Sequence, residues 1–174
     1  MNFTFTEDQL LFQDSVRDFL VNEITAESIR ALWETETGRS DALWQQLTEL
    51  GLTAMTVPEA MGGLGMTALD FILIAQECGY VALPAPLVHV ALVAVPLLDQ
   101  LSGVSGEALK QQWLPAIAEG RAKVMVGLEQ NAFVEDAHTA DLLILQRGQA
   151  LYALTPEQFS YTLNESVDPS RKLY

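Results

Sequence analysis

The chain has 174 residues, and 49% of them are hydrophobic, which is enough to build one good core and excludes a disordered tail. Its 23 acidic residues outnumber 9 lysines and arginines, so the formal net charge is −14, and the cations are scattered along the chain. Because a nucleic-acid backbone is bound by clustered cations, we do not expect a nucleic-acid partner.

The compartment is indicated by the cysteine count and the first residues. Cys78 is the only cysteine, so no internal disulfide is possible, and the N-terminal MNFTFTEDQLLFQDS carries acids where a secretory signal would carry basic residues. We therefore expect a cytoplasmic protein. Residues 81–98, VALPAPLVHVALVAVPLL, raise the alternative of a membrane span, but they contain three prolines and lack basic flanks. We expect a buried core helix there instead.

Helix caps organise the first part of the chain. Thr6 is a predicted N-cap with Gln9 at the capping-box position, and a short helix is predicted around 26–33. Ser40 caps the next predicted helix, which ends at Gly51, a position where a left-handed residue is common. Residues 52–57 are then predicted to be extended.

Two further helices are predicted before the composition changes. One covers 67–77, and another opens at Ser105 and is closed by Gly120. In the first, the apolar residues Leu69, Ile72, Leu73 and Cys78 recur at helical spacing.

Strand patterns follow from Lys123 onward. Four short apolar or alternating runs are separated by turn residues: KVMVGLEQ, ADLLILQ, ALYAL and FSYTLN. We place a domain boundary near Gly120, with a helical domain at 1–120 and a short β domain at 121–174. The predicted fold class is mainly α, a helical bundle followed by a small β segment. Since such a sheet has open edges, we expect either a fragment of a larger unit or coverage by another subunit or domain.

No cluster of metal ligands or catalytic nucleophile is visible in the sequence. Cys78, His89 and His138 are far from one another and show no ligand spacing, so we predict no metal site. Cys78 fits an inert core thiol, and His89 fits a satisfied or cavity-lining histidine. His138, in a loop, is interpreted as a solvated polar residue.

The glycine-rich stretch VPEAMGGLGM, residues 57–66, poses the question of a phosphate site. It lacks the lysine and hydroxyl residue of a P-loop and the spacing of a dinucleotide-binding loop. Taken alone, it is better interpreted as a turn that allows close packing.

The order of these segments resembles the N-terminal part of the flavin-dependent acyl-CoA dehydrogenases, essentially from end to end. Two motifs carry the resemblance most specifically. One is the Pro-Glu-x-x-Gly-Gly-x-Gly loop that starts at Pro58, and the other is the Trp-Leu-Pro-x-Ile-x-x-Gly run that starts at Trp113.

The resemblance implies an N-terminal helical domain, a middle β domain and a C-terminal four-helix domain, assembled as a homo- or hetero-oligomer. Such enzymes use FAD to oxidise an acyl-CoA substrate between its alpha and beta carbons, in fatty acid or steroid side-chain metabolism, and pass electrons to electron-transfer flavoprotein or a similar acceptor. Their catalytic base lies in the C-terminal domain, so no residue of this chain inherits that role. We expect the chain alone to be inactive.

The same resemblance assigns cofactor contacts to Gly127, Leu128 and Glu129, at the end of the family's flavin strand. Leu128 replaces a residue whose hydroxyl reaches the flavin, and the loop after Asn131 is shortened. Some members of the family work as unlike-subunit pairs in which one partner has lost flavin contacts. The alternatives are therefore a subunit that needs another chain for the base and much of the FAD site, or a non-catalytic structural partner.

The resemblance also predicts a wall of the acyl-tail cavity, formed by Leu87, Val88, Ala91 and Val95. The alternative is that these residues are ordinary packing core. Outside the family, a helical module that binds a hydrophobic molecule stays open. Because the chain is so acidic, we expect contacts with coenzyme A to come from backbone groups or from another domain.

Overall fold

The computed structural model describes residues 4–174, and it confirms a mainly helical chain with a small sheet at its C-terminal end. The helices are α1 (Glu7–Glu23), α2 (Ala26–Trp33), α3 (Asp41–Glu49), α4 (Ala68–Tyr80), α5 (Leu87–His89), α6 (Val95–Gln100) and α7 (Gly103–Ala118). The strands are β1 (Val124–Gly127), β2 (Leu142–Arg147) and β3 (Ala150–Leu154).

The predicted caps are confirmed. The Gln9 amide donates to Thr6 Oγ1 at 3.2 Å, and the Thr6 amide donates to Gln9 Oε1 at 2.8 Å, which completes the capping box of α1. The Leu43 amide donates to Ser40 Oγ at the start of α3. Gly51 ends that helix with a left-handed φ of 76°.

Two predictions about local structure in the helical part of the chain are wrong. Residues 52–57 are turns, not an extended connection, because the amides of Ala54 and Val57 bond back to carbonyls three residues earlier. The last helix starts at Gly103 after Ser102, not at Ser105, and it continues through Pro115. Two serines of equal capping ability lie close together there, so sequence type alone does not choose between them.

The long apolar segment forms one helical rod with a π turn inside it. The π segment Val90–Ala94 joins α5 to α6, and the Val95 amide donates to the carbonyl of Val90, five residues back. Pro96, which has no amide hydrogen, follows directly in the first turn of α6. Among residues 4–174, no helix has both the length and the apolar character that crossing a membrane requires.

The sheet has the order β1-β2-β3. β1 runs parallel to β2, with Val124 opposite Leu142, and β3 runs antiparallel to β2. The predicted strand at 159–164 is wrong. Its Asn164 makes only an isolated bridge to Leu173, because the last residues fold back and Tyr174 exchanges backbone hydrogen bonds with Val134.

The apolar residues of α4 do not all face the core. Leu69 and Ile72 are 70% and 51% exposed, whereas Phe71 and Ile74 are completely buried. Both apolar rows fit helical spacing, so periodicity could not decide which one faces inward. Cys78 is buried as predicted.

A single hydrophobic core joins the helices and the sheet. It contains Leu20 and Ile117 from helices together with Met125 and Ile144 from strands. The boundary near Gly120 stays a prediction, and the packed interior continues across it.

Candidate functional site

A cavity of about 310 Å³ lies between the start of α5 and β1. We call it the Arg39 cavity. Part of its wall is apolar and is formed by Leu83, Pro84, Ala85, Pro86, Val88 and Met125. Its polar residues are Arg39, His89, Glu135, Asp136, Asp168, Ser170 and Arg171.

Arg39 is the central polar group of this cavity. Its Nη2 donates to Asp136 Oδ1 at 2.6 Å, and its Nη1 donates to the carbonyls of Gly38 and Ser170, each at 2.8 Å. The side chains of Arg39 and Asp136 are only 8% and 5% exposed. Burial raises the pKa of Asp136, and the neighbouring guanidinium opposes that rise.

The other carboxylates of the cavity are also held. Arg171 donates to both oxygens of Glu135, and Asp168 accepts from the amide and hydroxyl of Ser170. Hydrogen bonds from Ser170 lower the pKa of Asp168. Each carboxylate of the cavity therefore has at least one hydrogen-bond partner that orients it.

His89 connects the helical rod to the sheet. The Val126 amide of β1 donates to His89 Nε2 at 2.9 Å, and burial lowers the pKa of the imidazole, so the ring is neutral near pH 7. The prediction of a satisfied, cavity-lining histidine is confirmed.

His138 is not the solvated residue that the sequence indicated. Its Nε2 lies 2.8 Å from the Thr37 carbonyl, and its ring packs against Tyr174 with centroids 4.7 Å apart. Burial lowers the pKa of the imidazole.

Of the four residues predicted to line an acyl-tail cavity, one lies in a cavity wall and three lie in the core. Val88 lies in the wall of the Arg39 cavity. Leu87, Ala91 and Val95 are each at most 2% exposed and pack within the main core.

The predicted flavin residues lie beside a second cavity of about 320 Å³, which Gly127 and Leu128 help to line. Gly127 is closely packed, since a Cβ atom there would lie 2.5 Å from Val134 Cγ2. The Leu128 side chain is 36% exposed, and Glu129 Oε2 accepts from the Gly148 amide at 2.7 Å.

The contacts of residues 127–129 show whether their side chains could bind a flavin. A flavin ring is held by hydrogen bonds to its nitrogens and oxygens. Gly127 and Leu128 have no polar side-chain atom, an ionised Glu129 can only accept, and the Val126 amide is already bound to His89. The side chains of this segment therefore do not form a flavin site by themselves.

The glycine stretch is a turn, as predicted. Its amides bond inward: Gly63 donates to the Pro58 carbonyl and Gly65 to the Val57 carbonyl. A Cβ atom on Gly63 would lie 2.0 Å from the carbonyl oxygen of Val57, so only glycine fits there. These two amides do not point at a ligand.

Sequence reasoning missed Arg39, Asp136 and Arg171 as members of one site. Arg39 meets Asp136 and Ser170 across sequence separations of 97 and 131 residues. No local pattern signals such a pairing. In the described part of the chain, no group of three or more His, Cys, Asp or Glu residues is arranged to hold a metal ion.

Comparison with known proteins gives matches over most of the chain. Residues 6–121 match the family model "Acyl-CoA dehydrogenase, N-terminal domain". A curated relative, acyl-CoA dehydrogenase IpdE2 of Mycolicibacterium smegmatis, is 27% identical over 169 residues, which cover 97% of this chain and 51% of the relative. The chain thus spans about half the length of the curated relatives it matches first.

Solved structures share the fold. A variant of the Tcur3481–Tcur3483 steroid ACAD aligns with a TM-score of 0.79 at 18% identity, over 96% of this chain and 54% of that chain. The ChsE4–ChsE5 complex from Mycobacterium tuberculosis aligns with a TM-score of 0.73 at 19% identity, over 89% of this chain and 49% of that chain.

Proposed function

This chain belongs to the acyl-CoA dehydrogenase family, an FAD-dependent oxidoreductase family, and we propose that it is one subunit of a heteromeric acyl-CoA dehydrogenase. In this proposal a second, related chain supplies the catalytic base and much of the FAD site. The reaction is the alpha,beta-dehydrogenation of an acyl-CoA thioester, and the flavin, when bound, accepts the hydride.

The proposal rests mainly on the side chains at the end of β1. The three positions that the family resemblance assigns to flavin contacts offer no side-chain hydrogen-bond donor, and Glu129 is bound to Gly148. Support also comes from the Arg39 cavity, whose carboxylates are paired with guanidiniums or with Ser170.

The sheet supports a protein partner. β3 is an edge strand, and its Leu151 and Tyr152 are 42% and 52% exposed. An open edge with exposed apolar side chains tends to pair with another chain. Two similar structures, ChsE4–ChsE5 and Tcur3481–Tcur3483, each carry the names of two polypeptides, which agrees with a heteromeric assembly here.

Within this assembly, the chain would contribute binding and orientation. Val88 and the adjacent apolar wall of the Arg39 cavity would hold the acyl tail. The coenzyme A moiety, an anion, would be bound mainly by backbone groups or by the second chain, since this one carries a net charge of −14.

The test is purification of this chain alone and together with each acyl-CoA dehydrogenase-like chain of its host. We expect the absorbance of the flavin cofactor, at roughly 450 nm, only in a co-purified pair. The pair should also reduce an artificial electron acceptor when acyl-CoA is added.

Light scattering on the same samples gives the subunit ratio and serves as the control for a true complex. If this chain alone holds one FAD and oxidises acyl-CoA, the proposed division of labour is wrong. If a pair forms but neither binds flavin nor turns over, the non-catalytic structural role is the correct one.

A further inference from the structure

The two outer edges of the sheet differ in what covers them. On β1, the residues Val124–Gly127 are all buried, and the Val126 amide donates to His89 Nε2 of the helical rod. On β3, Leu151 and Tyr152 are 42% and 52% exposed. A helix therefore covers the edge of β1, whereas no segment of residues 4–174 pairs with the outer edge of β3.

The hairpin determines which groups of β3 point outward. A two-residue turn joins β2 to β3 and places Arg147 opposite Ala150, so the Ala150 amide points toward β2. The direction of the backbone groups alternates along an antiparallel strand. The amides and carbonyls of Leu151 and Ala153 therefore point toward the open edge.

These outward groups form a short, unpaired template for another strand. In the described part of the chain, no turn, loop or side-chain hydrogen bond reaches the outward amides and carbonyls of Leu151 and Ala153. The next outward amide, of Thr155, already donates to Gln158 Oε1 at 2.9 Å. The template thus consists of two amides and two carbonyls, and it ends before Thr155.

The side chains of β3 do not protect this edge. Residues 150–154 read ALYAL, with no charge, proline or glycine, and their register with β2 contains no bulge. Natural edge strands commonly carry lysine, proline or a bulge, which prevents pairing with another chain. Leu151 and Tyr152 lie on opposite faces of the strand. An added strand that is apolar on both faces would bury both side chains.

The charge of the chain favours a different partner over a second copy. Two copies would bring together two chains that each carry a net charge of −14. Glu157, three residues after β3, is exposed and makes no salt bridge with any other described residue. A lysine or arginine of a partner opposite Glu157 would give electrostatic complementarity, which a second copy of so acidic a chain offers less readily.

We propose that β3 is extended by a strand of the second chain, apolar on both faces and basic at the end that meets Glu157. In the pair, the outward groups of Leu151 and Ala153 bond to the main chain of that strand, which is β-augmentation. This inference rests on the proposed function, because the partner is the second chain of that assembly. It deepens that function by locating a contact between the two chains on the sheet edge.

The first test is amide hydrogen exchange in this chain alone and in the co-purified pair. In the chain alone, the outward amides of Leu151 and Ala153 should exchange fast, whereas those of Tyr152 and Leu154 are protected by β2. In the pair, we expect exchange of the two outward amides to slow by about tenfold or more, because each gains a hydrogen-bond partner.

Variants separate strand pairing from other contacts in a titration of the two chains. Ala153→Pro removes an outward amide, which an edge strand tolerates, and should weaken the pair by about tenfold or more, while Ala153→Ser keeps the amide and should not. Should Ala153→Pro fail to fold, Leu151→Lys places a charge on the exposed edge and should weaken the pair similarly. Glu157→Lys should weaken it by about threefold, and Glu27→Lys, the same change of charge on exposed α2, should have a smaller effect.

The outcomes distinguish this inference from the proposed function. A pair whose outward amides stay fast, or whose affinity survives both Ala153→Pro and Leu151→Lys, would overturn only the inference, and equal effects of the two charge changes would overturn its basic end. A dimer of this chain alone that Ala153→Pro disrupts would assign the edge to a second copy and overturn the choice of partner. A pair that joins through β3 but binds no flavin would overturn the proposed function alone. If no related chain of the host pairs with this one, both are wrong.

Discussion

Ala82 occupies a position that glycine usually takes. It follows the end of α4, where the Leu83 amide donates to the Cys78 carbonyl and the Ala82 amide to the Gly79 carbonyl. This is the Schellman arrangement, and Gly51 has the same place after α3, with the Leu52 amide on the Leu47 carbonyl. Gly120 has the same place after α7, with the Arg121 amide on the Ala116 carbonyl, so Ala82 stands where the other two copies have glycine.

The two positions give opposite predictions. Ala82→Gly removes a left-handed alanine and should raise the free energy of unfolding by about 0.5–1 kcal/mol, after the greater entropy of glycine in the unfolded chain is counted. Gly51→Ala should lower the free energy of unfolding by about 1 kcal/mol because of its left-handed φ, although the new Cβ would meet Leu64 Cδ1 at an ordinary contact distance of 3.8 Å. Urea denaturation measures both. A loss of stability in Ala82→Gly would contradict the assigned strain.

The thiol of Cys78 should be unreactive in the folded chain. The side chain is 3% exposed, and burial raises its pKa to about 12, so almost no thiolate exists at pH 8. We expect no reaction with a disulfide reagent over minutes at pH 8 and one equivalent of reaction in denaturant. Rapid labelling of the native protein would show that α4 opens locally.

Among the elements, α1 and α4 are joined by a buried carboxylate. Glu77 is 1% exposed and accepts from Arg17 Nε at 2.7 Å, from Arg17 Nη2 at 2.8 Å and from Gln13 at 2.5 Å. The Arg17 side chain is 45% exposed, and its guanidinium reaches across from α1 to α4.

This pair makes stability depend on pH. The hydrogen bond from Arg17 lowers the pKa of Glu77, so its contribution is present above the unfolded value, about 4.3, and is lost as the pH falls through the lower folded value. Glu77→Gln should therefore flatten the fall in the free energy of unfolding below about pH 5. Urea titrations at a series of pH values from 3 to 7 measure the free energy of unfolding of both proteins.

The control is Asp14→Asn. Asp14 lies 4.0 Å from Arg17 and is 71% exposed, so its removal should leave the pH profile unchanged. A profile that is the same in wild type and Glu77→Gln would assign acid unfolding to other carboxylates.

How far each element could be predicted depends on the range of its interactions. The caps at Thr6 and Ser40 use side chains within three residues, and the sequence predicts both. The inward face of α4 depends on contacts with α1, about 60 residues away, and the spacing of Leu69 and Ile72 does not reveal that both are exposed. The predicted strand at 159–164 failed for the same reason, because its surroundings include the end of the chain.

At the scale of the whole molecule, the helices and the sheet share their interior. Ile117 and Ile144 are 0% and 1% exposed and belong to the same core. We predict that their methyl NMR signals disappear over the same range of urea, because neither segment can keep its buried surface alone.

Ile144→Ala tests this coupling. It should lower the free energy of unfolding by about 3 kcal/mol and shift the Ile117 transition equally, although Ile117 lies on the other side of the boundary near Gly120. Ala150→Gly, on the exposed side of β3, should have a much smaller effect. An unshifted Ile117 transition would indicate two independent domains.

The candidate site could be predicted only in part. The family resemblance directed attention to the helix that contains Val88 and to the end of β1, which do line cavities. Arg39 could not be found that way, since its partners come from the far end of the chain. What determines the site is tertiary packing, and a single sequence carries no local mark of it.

The bond between His89 and Val126 has a further consequence. Because the backbone amide can only donate, Nε2 must be the bare nitrogen of the ring, and the proton of the neutral imidazole sits on Nδ1. Nitrogen NMR distinguishes the two tautomers, so this one side chain reports whether the sheet is docked on the helical rod. If a flavoprotein partner separates the sheet from the helical rod, the bond from Val126 is lost, and we expect the tautomer of His89 to change. That change can be measured independently of flavin absorbance.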